Sequence, residues 1–242
     1  IRINWSGNLG IGVAAKDMAL RMCAALGMDG GDYQVIQYTG ETIKNLDMME
    51  RMTLCNMAAE LGAQTGIVEP DEVAASYLAE VGVARIDWQS YKSDTDAEYL
   101  AVHEINADTL VPQVAAPHSP SNASDICDAD KVEIDQFYIG ACTGAKLSDL
   151  RMVASVLERN KVASGKRLVV APASSRVMAE ATREGIMQII LDAGASLLPT
   201  GCGACAGYGV GVLAENEVCL ASTARNFRGR MVANSSLSLK HI

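Results

Sequence analysis

Long apolar runs are missing from this 242-residue chain. The best stretch, residues 186–198, is interrupted by Asp192 and falls short of the roughly 20 residues a membrane helix needs. Aromatic residues make up only 5% of the sequence and positive charge is in deficit, leaving a net charge of −9. Phosphate backbones are repelled by that balance and bases find few rings to stack on, so neither nucleic acid nor membrane is an expected partner. An even cysteine framework is also lacking. Seven cysteines are scattered at positions 23, 55, 127, 142, 202, 205 and 219, unlike the disulfide scaffold of a small secreted domain, and a reducing, cytoplasmic compartment is expected. Histidine is scarce: His103, His118 and His241 fit no ligand spacing and read as structural or surface residues. The chain opens on Ile1, strand-like and without a secretory signal or an initiator methionine, and reads as a fragment or a processed subunit.

What is present is an apolar fraction of 49% with 20% charged residues, enough for one large or two ordinary cores. Residues 1–5, 33–38, 64–68 and 99–105 have strand character, and residues 14–26 and 48–61 have helical periodicity. A third helix is expected to open at Glu69-Pro70-Asp71-Glu72, with proline in its first turn, and to run to about Val81; residues 85–96 read as loop. Pro112, Pro117 and Pro120 punctuate the clearest linker. Beyond it, strands at 136–139, 167–170, 195–198 and 218–221 alternate with helices at 147–158 and 175–192. Such alternation predicts right-handed βαβ units. The fold expected is α/β, with two doubly wound domains on parallel sheets: residues 1–116, a linker at 117–130, and residues 131–242.

The chemistry concentrates in residues 199–231. Cys202 and Cys205 form a Cys-x-x-Cys that can offer two thiolates from one turn, and Gly201, Gly203 and Gly207 allow tight backbone curvature around them. Arg225, Arg228 and Arg230 supply cationic forks suited to carboxylates, although Arg228 reads as a solvated charge. Cys142 lies just past another strand end, and the carboxyl edge of a doubly wound sheet is where ligands bind. Three thiolates could serve an iron–sulfur cluster with one open iron, or zinc with Cys219 as fourth ligand; spacing leaves both open, although Cys219 falls on a predicted strand and suits a core. In the first half, Met52, Asn56 and Glu60 stand at i, i+4 and i+8 of a predicted helix. They read either as its solvated edge or as polar groups kept for a site.

Five segments, MTLCNMAAELGAQTGIVEPDE (52–72), IGACTGAKLSDLR (139–151), CGAC (202–205), GVLAENEVC (211–219) and RNFRGRM (225–231), resemble in order the large subunit of the aconitase superfamily. The likeness is to the 3-isopropylmalate dehydratase and homoaconitase branch, with dimethylmalate dehydratase as a close relative. It implies a [4Fe-4S] cluster on Cys142, Cys202 and Cys205, active-site roles for Asn56 and Glu60, and substrate carboxylates held by Arg225 and Arg230. It also implies a hydro-lyase acting on a di- or tricarboxylate such as a 2-substituted malate, in leucine or related amino-acid biosynthesis. A small, swivelling-domain subunit would then be its partner and supply the serine base.

The resemblance is not complete. Ala224 stands where the family has asparagine, Gly144 ends what is usually Ser-Cys-Thr-Asn, and Gly201 is an extra residue before the Cys pair. The family's N-terminal domain has no counterpart here, so the chain is not expected to turn over substrate alone. Two alternatives stand beside the enzyme: a catalytically weakened cluster-binding or assembly subunit, suggested by Ala224 and Gly144, and a zinc-stabilised structural module.

Overall fold

A computed structural model describes residues 1–83 and 87–231 in full, together with the backbone of strand Ser238–Lys240. It divides into two units, Ile1–Val111 and Pro112–Ile242. In the first, β1 (Arg2–Ser6), β2 (Val35–Thr39), β3 (Thr65–Val68) and β4 (Val102–Asn106) form an all-parallel sheet in the order β3-β2-β1-β4. Alternation along β1 buries Ile3 and Trp5 completely, and α1 (Ala15–Leu26) packs Met18, Met22 and Cys23 into the core. Polar groups at the ends delimit the helices: Asp17 accepts from the Ala14 N–H at 2.8 Å at the start of α1. After α2 (Glu41–Asn45), the Asp47 carboxylate caps α3 (Met48–Met57) through the Glu50 N–H at 2.8 Å.

The second unit holds β5 (Gln113–Ala115), β6 (Ala123–Asp125), β7 (Gln136–Gly140), β8 (Arg167–Ala171), β9 (Ser196–Leu197), β10 (Cys219–Ala221) and β11 (Ser238–Lys240), ordered β6-β5-β11-β10-β7-β8-β9. From β11 through β9 the pairing is parallel, while β5 and β6 add an antiparallel edge. Helix α4 (Glu72–Glu80) belongs to the first unit; α5 (Leu147–Leu157), α6 (Ser175–Arg183) and α7 (Ile186–Asp192) belong to the second. Strand alternation splits the core of this unit by face. Leu168 and Val170 join Leu150, Val177 and Ile190 of the three helices, whereas Tyr138, Val169 and Ala171 join Leu198, Cys205, Leu213 and Cys219. Helices thus cover one face and the cysteine-bearing loop covers the other. Both units share a strand order, since β9-β8-β7-β10 repeats β3-β2-β1-β4, although no sequence repeat announces it.

Several expectations change. The proline-rich segment is not a linker: Val114 and Ala115 are buried, and β5 and β6 join the second sheet, so the division falls at Val111 rather than near residue 116. The helix expected at 175–192 breaks at Gly185, which takes φ 75 and separates α6 from α7. Pro70 precedes the cap of α4 instead of occupying its first turn; Asp71 is the cap, accepting from Val73 N–H at 2.9 Å and Ala74 N–H at 3.3 Å. Within the expected 85–96 loop, Trp88–Tyr91 forms a 3₁₀ turn, and residues 84–86 lie outside the described ones. Strand β11, Ser238–Lys240, is an addition to the strands expected from the sequence.

Arg51 of α3 ties this end of the first unit together. Buried at 2% exposure, it reaches both Asp71 oxygens at 2.7 and 2.8 Å and the carbonyls of Leu46 and Lys44 at 3.1 and 3.0 Å. Burial pushes the Asp71 carboxyl up, but the Arg51 guanidinium and the two capped amides outweigh it and hold the carboxyl below its ordinary range. D71A leaves Arg51 unpaired and α4 uncapped, and is expected to lower the urea-unfolding free energy by about 3 kcal/mol.

In the second unit, Arg167 at the start of β8 forks onto Glu217 at 2.8 and 2.7 Å, and the Ala214 N–H donates to the same carboxylate at 2.8 Å. The guanidinium first, then the amide, holds the Glu217 carboxyl at about 2 against an ordinary 4.5. A depressed carboxylate stabilises the fold fully above its unfolded value and loses that contribution as pH falls through its folded one. Unfolding free energies measured between pH 4.5 and 2 should therefore fall less steeply for E217Q than for wild type, by a margin that shrinks with added salt because the pair is partly exposed.

Candidate functional site

Parallel pairing places the carboxyl ends of β7, β8, β9 and β10 on one edge, and the strand order turns around between β7 and β10. Cys142 is the second residue past β7. Ala141 before it adopts φ 69, a left-handed conformation that L side chains rarely take, and this turn leaves Cys142 exposed while Ala141 and Thr143 are buried. The Lys146 ammonium anchors the turn by donating to the Thr143 carbonyl at 3.2 Å and to Asp149 at 2.7 Å, both residues of the ion pair being nearly buried. The Thr143 hydroxyl, at 0% exposure, has no hydrogen-bond partner among the described residues.

The Cys pair follows β9. Gly201 and Gly203 take φ values of 120 and 47, and Gly203–Ala206 closes into a 3₁₀ turn ended by Gly207 in the left-handed region. The Cys202 carbonyl accepts two hydrogen bonds, from the Cys205 N–H at 2.9 Å and from the Tyr138 hydroxyl at 2.9 Å. Tyr138 rises from the centre of β7, fully buried, and burial together with the neighbouring cysteines pushes its phenol above its ordinary value, so it stays a protonated donor. Cys202 is exposed and Cys205 is buried.

Cys219 belongs to the core, as a strand cysteine should. It is fully buried on β10, receives the Gln136 side-chain amide at 3.9 Å, and burial pushes its thiol up to about 12. A thiol so reluctant to ionise is a poor fourth ligand for zinc. Among the described residues, no group of three or more His, Cys, Asp or Glu side chains could hold a metal ion.

The end of β10 is fastened to the Cys142 turn by Ser222, whose hydroxyl accepts from the Gly140 N–H at 2.9 Å and donates to the Gly144 carbonyl at 2.8 Å. A side chain on Gly144 would run into the Ser222 carbonyl and hydroxyl. Glycine there is a steric requirement of this packing. Beyond Ser222, Arg225 and Arg230 are half-buried, Arg228 is exposed, and Asn226 donates to the carbonyls of Ala115 and Ala116 at 3.2 and 2.7 Å. The Leu213 N–H reaches the Met231 carbonyl at 3.1 Å, and Gly207 lies against the Arg230 backbone, so the arginine segment packs on the loop that follows Cys205. The Arg230 Nε is buried without an acceptor among the described residues.

In the first unit, the shared face expected for Met52, Asn56 and Glu60 is divided. Met52 and Asn56 are exposed on α3, but the chain tightens into a 3₁₀ turn at Ala58–Leu61 and Glu60 is only 2% exposed. A 3₁₀ turn advances side chains about 20° more per residue than an α-helix, which swings Glu60 off the solvent side.

The sequence pattern of the aconitase family, described as aconitate hydratase, matches residues 1–240. The chain belongs to the aconitase family. Among its aconitase-family relatives, the 3-isopropylmalate dehydratase large subunit of a Nitratiruptor species is 44% identical over 238 residues, 98% of this chain and 56% of that protein. The methanogen homoaconitase large subunit of Methanocaldococcus jannaschii is 44% identical over 226 residues, 90% of this chain and 54% of the relative. The chain thus spans about half the length of the relatives it matches. Aconitase X of Thermococcus kodakaraensis matches in structure with a TM-score of 0.53 at 15% identity, over 96% of this chain and 51% of that one, a likeness of fold alone.

Three residues of this aconitase-family edge escaped the sequence reading: Tyr138, Thr143 and Ser222. Tyr138 and Ser222 sit at or beside strand residues in otherwise apolar runs, and a hydroxyl in such a run is the signal that could have marked them. Y138F keeps the ring and removes one bond to the Cys202 carbonyl. It is expected to cost about 1 kcal/mol of stability and to speed amide exchange across residues 202–207, measured by denaturation and hydrogen-exchange mass spectrometry.

Proposed function

We propose that this chain is the cluster-bearing portion of a hydro-lyase of the 3-isopropylmalate dehydratase and homoaconitase type, acting with a small subunit on a 2-substituted malate. The observation that carries the reading is the shared edge: Cys142, the Cys202–Cys205 turn and the segment bearing Arg225 and Arg230 leave the same side of one parallel sheet. The residues present fit a [4Fe-4S] cluster. Their donors are three soft thiols on two turns, Cys142 after β7 and the glycine-lined Cys202–Cys205 pair after β9, with an unpartnered buried hydroxyl on Thr143 beside the first.

When bound, such a cluster supplies a Lewis-acid iron with an open position for a substrate hydroxyl. The chain's own residues do the rest of the binding. Cys142, Cys202 and Cys205 hold the cluster. Arg230, with its Nε lacking an acceptor among the described residues, and Arg225 take the substrate carboxylates as planar forks. The active-site roles of Asn56 and Glu60 rest on the family resemblance; in their own unit Asn56 is exposed on α3 and Glu60 is nearly buried in the turn that follows. Proton removal from the neighbouring carbon falls to a base on the small subunit. Gly144 gives no support to a weakened subunit, because Ser222 occupies the room its side chain would need.

Anaerobic reconstitution with iron and sulfide tests the reading. Wild type and C219S should bind equal iron with a broad visible absorption, whereas C142S, C202S and C205S should each lose about tenfold or more in affinity. A wild-type chain that holds no iron overturns it. Full-length protein assembled with its small subunit should hydrate an unsaturated dicarboxylate, with R230K raising KM more than it lowers kcat.

A further inference from the structure

We propose that Thr143 is a positioning residue for the cluster, its hydroxyl donating a hydrogen bond to a sulfur of the group held at Cys142. The inference rests on the cluster reading above but concerns a residue that the ligand set does not include. Its grounds are geometric. Thr143 is 0% exposed, and its hydroxyl finds no partner among the described residues. Buried hydroxyls in folded proteins are almost always bonded, and one left unmade is costly.

The surrounding turn does not let the side chain drift to another acceptor. The Thr143 carbonyl is held by the Lys146 ammonium at 3.2 Å, and that ammonium is fixed by Asp149 at 2.7 Å. The Gly144 N–H, in the same peptide plane as the Thr143 carbonyl, closes onto the Ala141 carbonyl at 3.3 Å, and the Gly144 carbonyl is pinned by Ser222 at 2.8 Å. The peptide plane that follows Thr143 is thereby held at both its carbonyl and its N–H. The neighbour that would bring a new acceptor is the group bound at Cys142, the adjacent residue. Sulfide and thiolate sulfurs of a cluster accept such bonds, and each one favours the more negative, reduced state.

The test compares T143V, which has the same shape without the hydroxyl, with T143S, which keeps the hydroxyl, in anaerobically reconstituted protein. T143V should load iron and sulfide like wild type but hold a midpoint potential displaced to the negative side. At a fixed potential this corresponds to an oxidised-to-reduced ratio shifted about tenfold toward oxidised. T143S should stay near wild type. Without metal, T143V should unfold at a denaturant midpoint equal to or above wild type, because an unmade bond is removed along with its donor; a merely structural threonine would lower it. An unchanged potential in T143V, an equal shift in T143S, or a destabilised metal-free T143V each overturns the proposal while leaving the cluster assignment standing. Failure of wild type itself to load iron would overturn both.

Discussion

The second unit turns on one hydroxyl. Ser222 sits where the strand order reverses, accepting from the Gly140 amide and donating to the Gly144 carbonyl, so that β10 and the turn after β7 are joined through a single buried oxygen. Ser222 comes so close because Gly144 has no side chain to hold it off, while the space beside Gly140 is taken by the Tyr138 ring. Remove that closeness and the exposed Cys142 and the arginine segment lose their common reference. The same edge carries the Cys202–Cys205 turn, braced from below by Tyr138 on β7, so one strand supports both halves of the thiol set.

Much of this is legible in the sequence. Alternation in residues 1–5 and in the short apolar runs of the second half marks strands because one face of each must be buried, and Cys142 and Cys202 fall past strand ends by counting alone. Composition misled at residues 112–124. Prolines read as a linker, yet a three-residue strand needs only Val114 and Ala115 to be buried, and proline is tolerated at a sheet edge. The pattern over residues 175–192 reads as one helix, but Gly185 takes a left-handed conformation that ends one helix and begins another. Glu60 shows the limit of periodicity: the rule that places it beside Asn56 assumes 3.6 residues per turn, and the chain abandons that period two residues before it arrives.

Departures from a family pattern also need a partner residue before they mean anything. Gly144 in place of asparagine suggested a weakened site when read alone. With Ser222 in view, Gly144 is the residue that its backbone and hydroxyl leave room for. Ala224 has no such account; it is buried, and nothing in the structure explains why asparagine is replaced there.

The doubly accepting carbonyl of Cys202 reaches further than the loop it closes. Because one bond comes from within the turn and the other from the floor of the sheet, the curvature that separates Cys202 from Cys205 is set during folding, by polypeptide alone. A ligand arriving there meets a preformed receptor and does not have to order a disordered one, so little conformational entropy is surrendered on capture. On the cluster reading proposed above, loading decouples from folding, unlike in small zinc modules that exist as folded objects only once filled.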